Sequence, residues 1–318
     1  MSINLNIRAQ RTSRNLLKNP AFSVIQSRAS GTIPNSLALP TASLGYSGET
    51  EWCLAATGGT PAYAFSAIDE SLTITGASGI TAMYLLQRIE SRDTNRIKGK
   101  TVTFSVELSN SLLTSVIWEV FRPTTLADQH GTIASPTQTL IASGTFTVSS
   151  TLTRYTATFA LPAEAALGLE VRLGVGAQTS GTWVVARPQL EEGAVATSFN
   201  CGDYLRELQK CLRYAYCINA SASTQIFITG MAITSGASIL SFVPMPENLF
   251  AAPILVISAA NNFSFGGITG TPTAFSIVSA SPNNRNILLT TSGSFTGTAV
   301  NLRLEAGAGF MRFLSHIP

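Results

Sequence analysis

The sequence predicts an all-β fold: two β-sandwich domains joined by a short amphipathic helix, with an N-terminal arm in front. Three observations carry that expectation. Apolar and polar residues alternate with a period of two in several short runs. Turns rich in Gly, Ser, Thr, Asn and Pro separate those runs. Helical periodicity with a capping residue occurs convincingly in one place, from Asp203 to about Tyr214.

Composition sets the outer bounds. At 318 residues the chain exceeds one average domain and predicts two, each large enough to bury a core. Charged residues make up 12% and the formal charge is +3, a mild excess too small for a nucleic-acid partner. Hydrophobic residues reach 45% with mean hydropathy +0.26. No run approaches the roughly 18 apolar residues of a membrane span, so no membrane insertion is expected. Scattered Ala, Val, Leu and Ile among Ser, Thr and Gly suit half-buried strands, and also an oligomer that hides apolar surface between subunits.

Residues 1–14 read as an attachment arm. Ile3, Leu5 and Ile7 alternate with Asn4, Asn6 and Arg8, a strand pattern able to pair with another sheet edge. A frayed terminus fits the same residues. The segment contains Arg8, Arg11 and Arg14 and no contiguous apolar core, so no secretory leader is expected.

Residues 15–200 form the first β domain. Val102, Phe104, Val106 and Leu108 alternate with Thr101, Thr103, Ser105 and Glu107, giving one core face and one wet face. Thr153, Tyr155, Ala157, Phe159 and Leu161 repeat the pattern until Pro162. Leu169, Val171, Leu173 and Val175 make a third strand, expected to be broken by Gly174 and Gly176. Periodicity alone gives a β-sandwich.

Residues 201–217 form the linking helix, capped by Asp203. Tyr204, Leu205, Leu208, Cys211 and Leu212 fall on one face, and Arg206, Glu207, Gln209, Lys210 and Arg213 on the other. A helix this short needs docking, and burying Leu205, Leu208 and Leu212 supplies about 5–9 kcal/mol gross at about 1.5–3 each. The expected partners are two further copies around a threefold axis, giving a homotrimer; packing beneath its own β domain is the alternative. Residues 218–318 form the second domain, with short apolar strands such as Ile254–Ile257 and Ile287–Leu289 between Asn- and Pro-rich turns.

One block is specific enough to suggest kinship. Gln189, Leu190, Glu191, Gly193, Ala196, Thr197 and Phe199, then Tyr204, Glu207 and Leu208, then Cys211, Arg213 and Tyr214, follow a fixed pattern. Asn15, Leu16, Asn19, Phe22, Val24 and Gln26 form a second, opening motif. Glu51-Trp52 lacks an expected Arg, and Val243-Pro244-Met245 followed by Ala252-Pro253 carries extra residues between. Together these resemble bacteriophage tail-fibre and related virion appendage proteins, covering most of 15–318 in outline. The resemblance implies a first domain like a carbohydrate-binding-module jelly roll. It also implies a virion protein assembled in the bacterial cytoplasm, with other virion proteins bound through the arm and a host surface glycan as receptor. A capsid decoration or cement protein of purely structural role is the alternative.

Catalysis is not expected. His130 and His316 are the two histidines; the first lies in a loop-like stretch and the second near the end of the chain, and both read as solvated. The four cysteines, Cys53, Cys201, Cys211 and Cys217, form no CxxC pair, so neither metal nor cofactor is expected and the thiols read as small buried apolar groups. A sugar site needs a flat aromatic face with a few hydrogen-bonding groups. Trp52, flanked by Glu51 and with Tyr46 nearby, is the candidate glycan site, although a sandwich Trp more often packs in the core. Trp118 and Trp183 read as core residues.

Overall fold

The computed structural model describes residues 15–27, 29–40, 46, 50–219, 225–229, 232–234, 238–269, 272–279, 286–304 and 310–317. The expected arm with Ile3, Leu5 and Ile7 lies outside the described residues. Among the described residues all strand pairs are antiparallel, apart from one isolated bridge between Asn35 and Ala56.

The first β unit is a two-sheet sandwich. One sheet has six strands in the order β1 (Ser30–Thr32), β3 (Ala62–Ser66), β4 (Ser71–Thr75), β11 (Thr182–Glu192), β6 (Thr101–Asn110) and β9 (Thr153–Ala160). The other has five: β2 (Cys53–Thr57), β5 (Ala82–Ile89), β10 (Leu169–Val175), β7 (Ser115–Pro123) and β8 (Gln138–Thr147). Side chains of alternating positions meet between them: Leu54, Leu85, Leu173 and Val120 from the second sheet, and Ile74, Val106, Leu108 and Val185 from the first. Trp183 is fully buried in this core, whereas Trp118 is only half-buried, stacked on Phe146 and Phe159 at 6.1 and 5.8 Å. Gly174 does not break β10, which runs unbroken through Val175.

A short helix α1 (Ser91–Thr94) connects β5 to β6. The linking helix α2 (Tyr204–Leu212) begins as expected, with Asp203 Oδ1 accepting from the Leu205 and Arg206 amides at 3.1 and 3.2 Å. Its facing departs from the alternative in which the leucine face packs beneath its own β domain. Leu205 is 66% exposed, Leu208 and Leu212 are half-buried, and the buried side chains are Glu207 and Cys211. The reason is polar. Glu207 Oε2 accepts the Asn19 amide at 2.8 Å, so the opening segment draws the carboxylate face inward.

Among the described residues the second β unit has three smaller sheets. They are β12 (Ala215–Asn219), β21 (Phe310–Leu314) and β16 (Ile254–Ile257); β13 (Gln225–Thr229), β20 (Thr296–Leu304) and β17 (Phe263–Thr269); and β14 (Ala232–Thr234), β15 (Ser238–Pro244), β19 (Asn286–Gly293) and β18 (Pro272–Ser279). Ile239, Leu289, Phe263, Leu302, Met311 and Phe313 belong to one shared core.

Polar contacts stitch the two units together. Arg213 Nε and Nη2 donate to Glu90 Oε1 and Oε2 at 2.8 and 3.1 Å, and the Tyr214 hydroxyl also donates to Glu90. Arg88 Nη1 reaches the Ile317 carbonyl at 3.2 Å, and Asn219 Nδ2 the Gln26 carbonyl at 2.8 Å. Cys53 and Cys211 are buried as expected, but Cys201 is exposed and Cys217 half-buried.

Candidate functional site

Of the three residues singled out for glycan binding, Glu51 and Tyr46 meet at His316 inside the joint, whereas Trp52 packs in the core of the first β unit. Trp52 is 2% exposed, its ring packs on Phe22 at 5.4 Å and its Nε1 donates to the Asn19 carbonyl at 3.1 Å. A sugar has no ring face to stack on there, which corrects the expectation. Tyr46 stacks on His316 at 3.8 Å, and its hydroxyl donates to the Ile317 carbonyl at 3.1 Å. Glu51 is buried with Oε1 3.6 Å from His316 Nδ1, and burial pushes its carboxyl pKa up. His316 is therefore buried between aromatic rings, not solvated near the end of the chain.

The surface that suits a ligand lies on the outer face of the five-stranded sheet. Register places three rows across it: Arg88, Glu170 and Phe121; Leu86, Arg172 and Glu119; Tyr84, Gly174 and Ile117. On β8 the rows continue with Leu140, Ser143 and Thr145. One side of this face is closed. Leu37, Leu39 and Ile133 pack on Cys53, Ala55 and Leu86, and the loops are pinned by Ile133 N to Leu39 O and Ala134 N to Leu37 O, each 2.8 Å. The other side stays open, with Ile117 and Leu140 each 49% exposed and Tyr84, Phe121 and Glu119 partly so.

Tyr84 lies along the sheet because its neighbour on β10 has no side chain. A Cβ on Gly174 would come within 3.3 Å of two Tyr84 ring atoms. Arg172 sits between the aromatic rings, its guanidinium carbon 4.5 Å from the Phe121 centroid and 5.9 Å from that of Tyr84. Tyr84, Phe121, Ile117 and Leu140 thus give a flat apolar platform, with Glu119 and Arg172 as hydrogen-bonding groups beside it.

A buried ionic network holds Arg172 in place. Glu170 is fully buried and accepts from Arg88 Nε at 2.9 Å, Arg172 Nε at 3.0 Å and Gln138 Nε2 at 2.8 Å. Arg172 also bonds Gln138 Oε1 at 3.2 Å and lies 3.7 Å from Glu119. Burial alone would raise the Glu170 pKa, but the guanidiniums of Arg88 and Arg172 outweigh it and hold it at about 2. Gln138 Nε2 lies 3.0 Å from His130 Nδ1 and, as a donor, places the imidazole proton on Nε2. His130 is completely buried, and this desolvation lowers its pKa to about 3. It is a neutral core histidine, which corrects its expected place in solvent.

The arrangement offers groups suited to holding a polar ligand. A glycosidase needs one carboxyl group kept protonated as general acid. Glu170 has the opposite shift and is locked by two arginines. Among the described residues no cluster of His, Cys, Asp and Glu could hold a metal ion, and no helix is long and apolar enough to cross a membrane. Sequence reasoning missed this platform. The signal was the pair Glu170 and Arg172 set among the apolar positions of β10, two charges facing away from the core on a strand too central to be wet.

No protein-family profile matches the chain, and no curated protein matches it. Among solved structures, a CBM4 domain is similar at 14% identity and a TM-score of 0.34, covering 51% of this chain and 95% of that one. The C-terminal family 22 carbohydrate binding module of Clostridium thermocellum Xyn10B is similar at 12% identity and a TM-score of 0.32, covering 59% and 100%. The enzymatically active domain of tailspike protein 4 of bacteriophage CBA120 is similar at 16% identity and a TM-score of 0.32, covering 49% of this chain and 21% of that one. Similarity at this level assigns neither family nor activity.

Proposed function

We propose that this chain is a non-catalytic glycan-recognising subunit of a bacteriophage appendage, a tail or head fibre, with the outer face of the five-stranded sheet as its saccharide platform. One observation carries the reading: Tyr84, Ile117, Phe121 and Leu140 form a partly exposed apolar surface beside a guanidinium and a carboxylate already fixed in place. The C–H faces of a pyranose pack on such a surface, while its hydroxyls bond Glu119 and Arg172. Fixing Arg172 in advance lowers the ordering cost of binding. The virion assignment rests on the resemblance of the 187–216 block. Weak affinity per site suffices there, since many copies on one particle raise avidity by about 10²–10⁴.

Trimer formation belongs to the same proposal, supported by the exposure of Tyr204 (54%) and Leu205 (66%) on α2. Those exposed side chains also favour the second reading, a structural decoration protein that covers them with a virion partner. Purified full-length protein incubated with host cells separates the readings. A fibre binds the cells and blocks phage adsorption; a decoration protein does neither, and deleting it weakens the capsid.

A further inference from the structure

A second site lies away from the platform. The opening segment, α1 and α2 enclose a cleft of about 590 Å³ whose lining has five cationic side chains, Lys18, Arg92, Arg96, Arg206 and Lys210. Three acids line it as well, and each is committed. Asp203 caps α2 through the Leu205 and Arg206 amides. Glu207 takes the Asn19 amide and Lys210. Asp93 lies 3.7 Å from Arg92, which also pairs with Glu90 at 3.2 Å. Arg96 has no ion pair among the described residues and its side chain is exposed. Lys18 is 3% exposed, and its Nζ makes no hydrogen bond among the described residues, lying 4.3 Å over the Tyr214 ring. A concave wall with a cationic surplus of two, deep enough for a small ligand, concentrates anions.

We propose that this cleft is an anion-selective saccharide site, taking a sugar unit that carries a carboxylate or a phosphate. The saccharide part of the proposal rests on the glycan reading above; the anion selectivity rests on the cleft alone. Arg96 and Arg206 supply planar donors suited to the anion, and Asn200 on the same wall carries an amide suited to hydroxyls.

The test is isothermal titration of the full chain with trigalacturonate, N-acetylglucosamine 6-phosphate and a neutral trisaccharide, at low and high salt. Binding of either acidic probe is expected, weakened by salt and lowered about tenfold or more in Arg96→Ala and Arg206→Ala, the loss of one charge-assisted contact. The carboxylate and phosphate arms identify which anion is taken. Absence of binding by both acidic probes overturns the proposal, as does acidic binding that the two arginine variants leave intact. Acidic binding that survives while no neutral saccharide binds the platform would sink the platform reading and leave the cleft standing.

Discussion

Glu170 and His130 meet around Gln138, and their shifted pKa values make a pH prediction with a definite sign. Burial holds His130 down at about 3 in the folded protein, against 6.5 for a solvated imidazole. Between those values the unfolded chain binds a proton that the native state refuses, so stability falls as pH falls from about 6.5 towards 3. The expected slope from this group is about 1.4 kcal/mol per pH unit. Glu170, held at about 2, adds a similar loss below the ordinary glutamate value of 4.5 as pH falls towards 2. Urea unfolding at pH 7 and pH 5.5 should show that slope in the wild type and its loss in His130→Gln; an equal slope in both would place the titration elsewhere. None of this was readable from the sequence. Periodicity assigns a face to a residue, but whether a polar side chain on that face is wet depends on partners such as Gln138 that the fold brings together. The same limit explains Trp52. Its glycine-rich surroundings suggested a loop, but Asn19, 33 positions earlier, holds the indole in the core.

At the level of elements, alternation located β6, β9 and β10, but it predicted a wet face reliably only on β9. Thr103 and Ser105 on β6 are buried, β10 is buried on both faces, and the expected break at Gly174 did not occur. Helix α2 was legible in its cap but not in its facing, because apolar content pointed to the leucines while the neighbouring backbone needed a carboxylate. The motif residues explain why. Glu191 accepts the Thr197 amide and hydroxyl at 2.7 Å each, and Gln189 Oε1 accepts the Asn200 amide at 2.8 Å. Asn15 Oδ1 accepts the Leu190 amide at 3.1 Å. The block that resembled virion appendages is thus a knot joining β11, the opening segment and α2. With Leu205 left outward, Leu205→Asp should change little in the subunit fold and convert a trimer to monomers. Sedimentation of wild type and variant checks this; a wild-type monomer, or a variant that stays trimeric, contradicts it.

Across the whole molecule, the all-β class and the single convincing helix were legible from composition and turn chemistry, while the joint was not. Its members come from positions 18, 88, 90, 213, 214 and 317, too far apart in sequence for any local pattern to register. Glu90 is its hub, 4% exposed in its side chain and bonded to Arg213 and Tyr214. Its pKa lies below the usual value even though burial works against that, because Arg213 bonds its carboxylate. Glu90→Ala leaves Arg213 and Tyr214 without their acceptor and should cost about 3 kcal/mol. Calorimetry should then split one unfolding transition into two, one for each β unit. A single transition at an unchanged temperature would mean that the units are held together by other contacts.

The central claim is that the outer face of the five-stranded sheet binds saccharide, and the most direct test is the affinity of Tyr84→Ala beside wild type for purified host surface polysaccharide. The account predicts measurable wild-type binding, at least about tenfold weaker in the variant, with Trp52 still buried and the unfolding midpoint close to that of wild type. Equal affinity in the two proteins, or no binding by folded wild type, would contradict it.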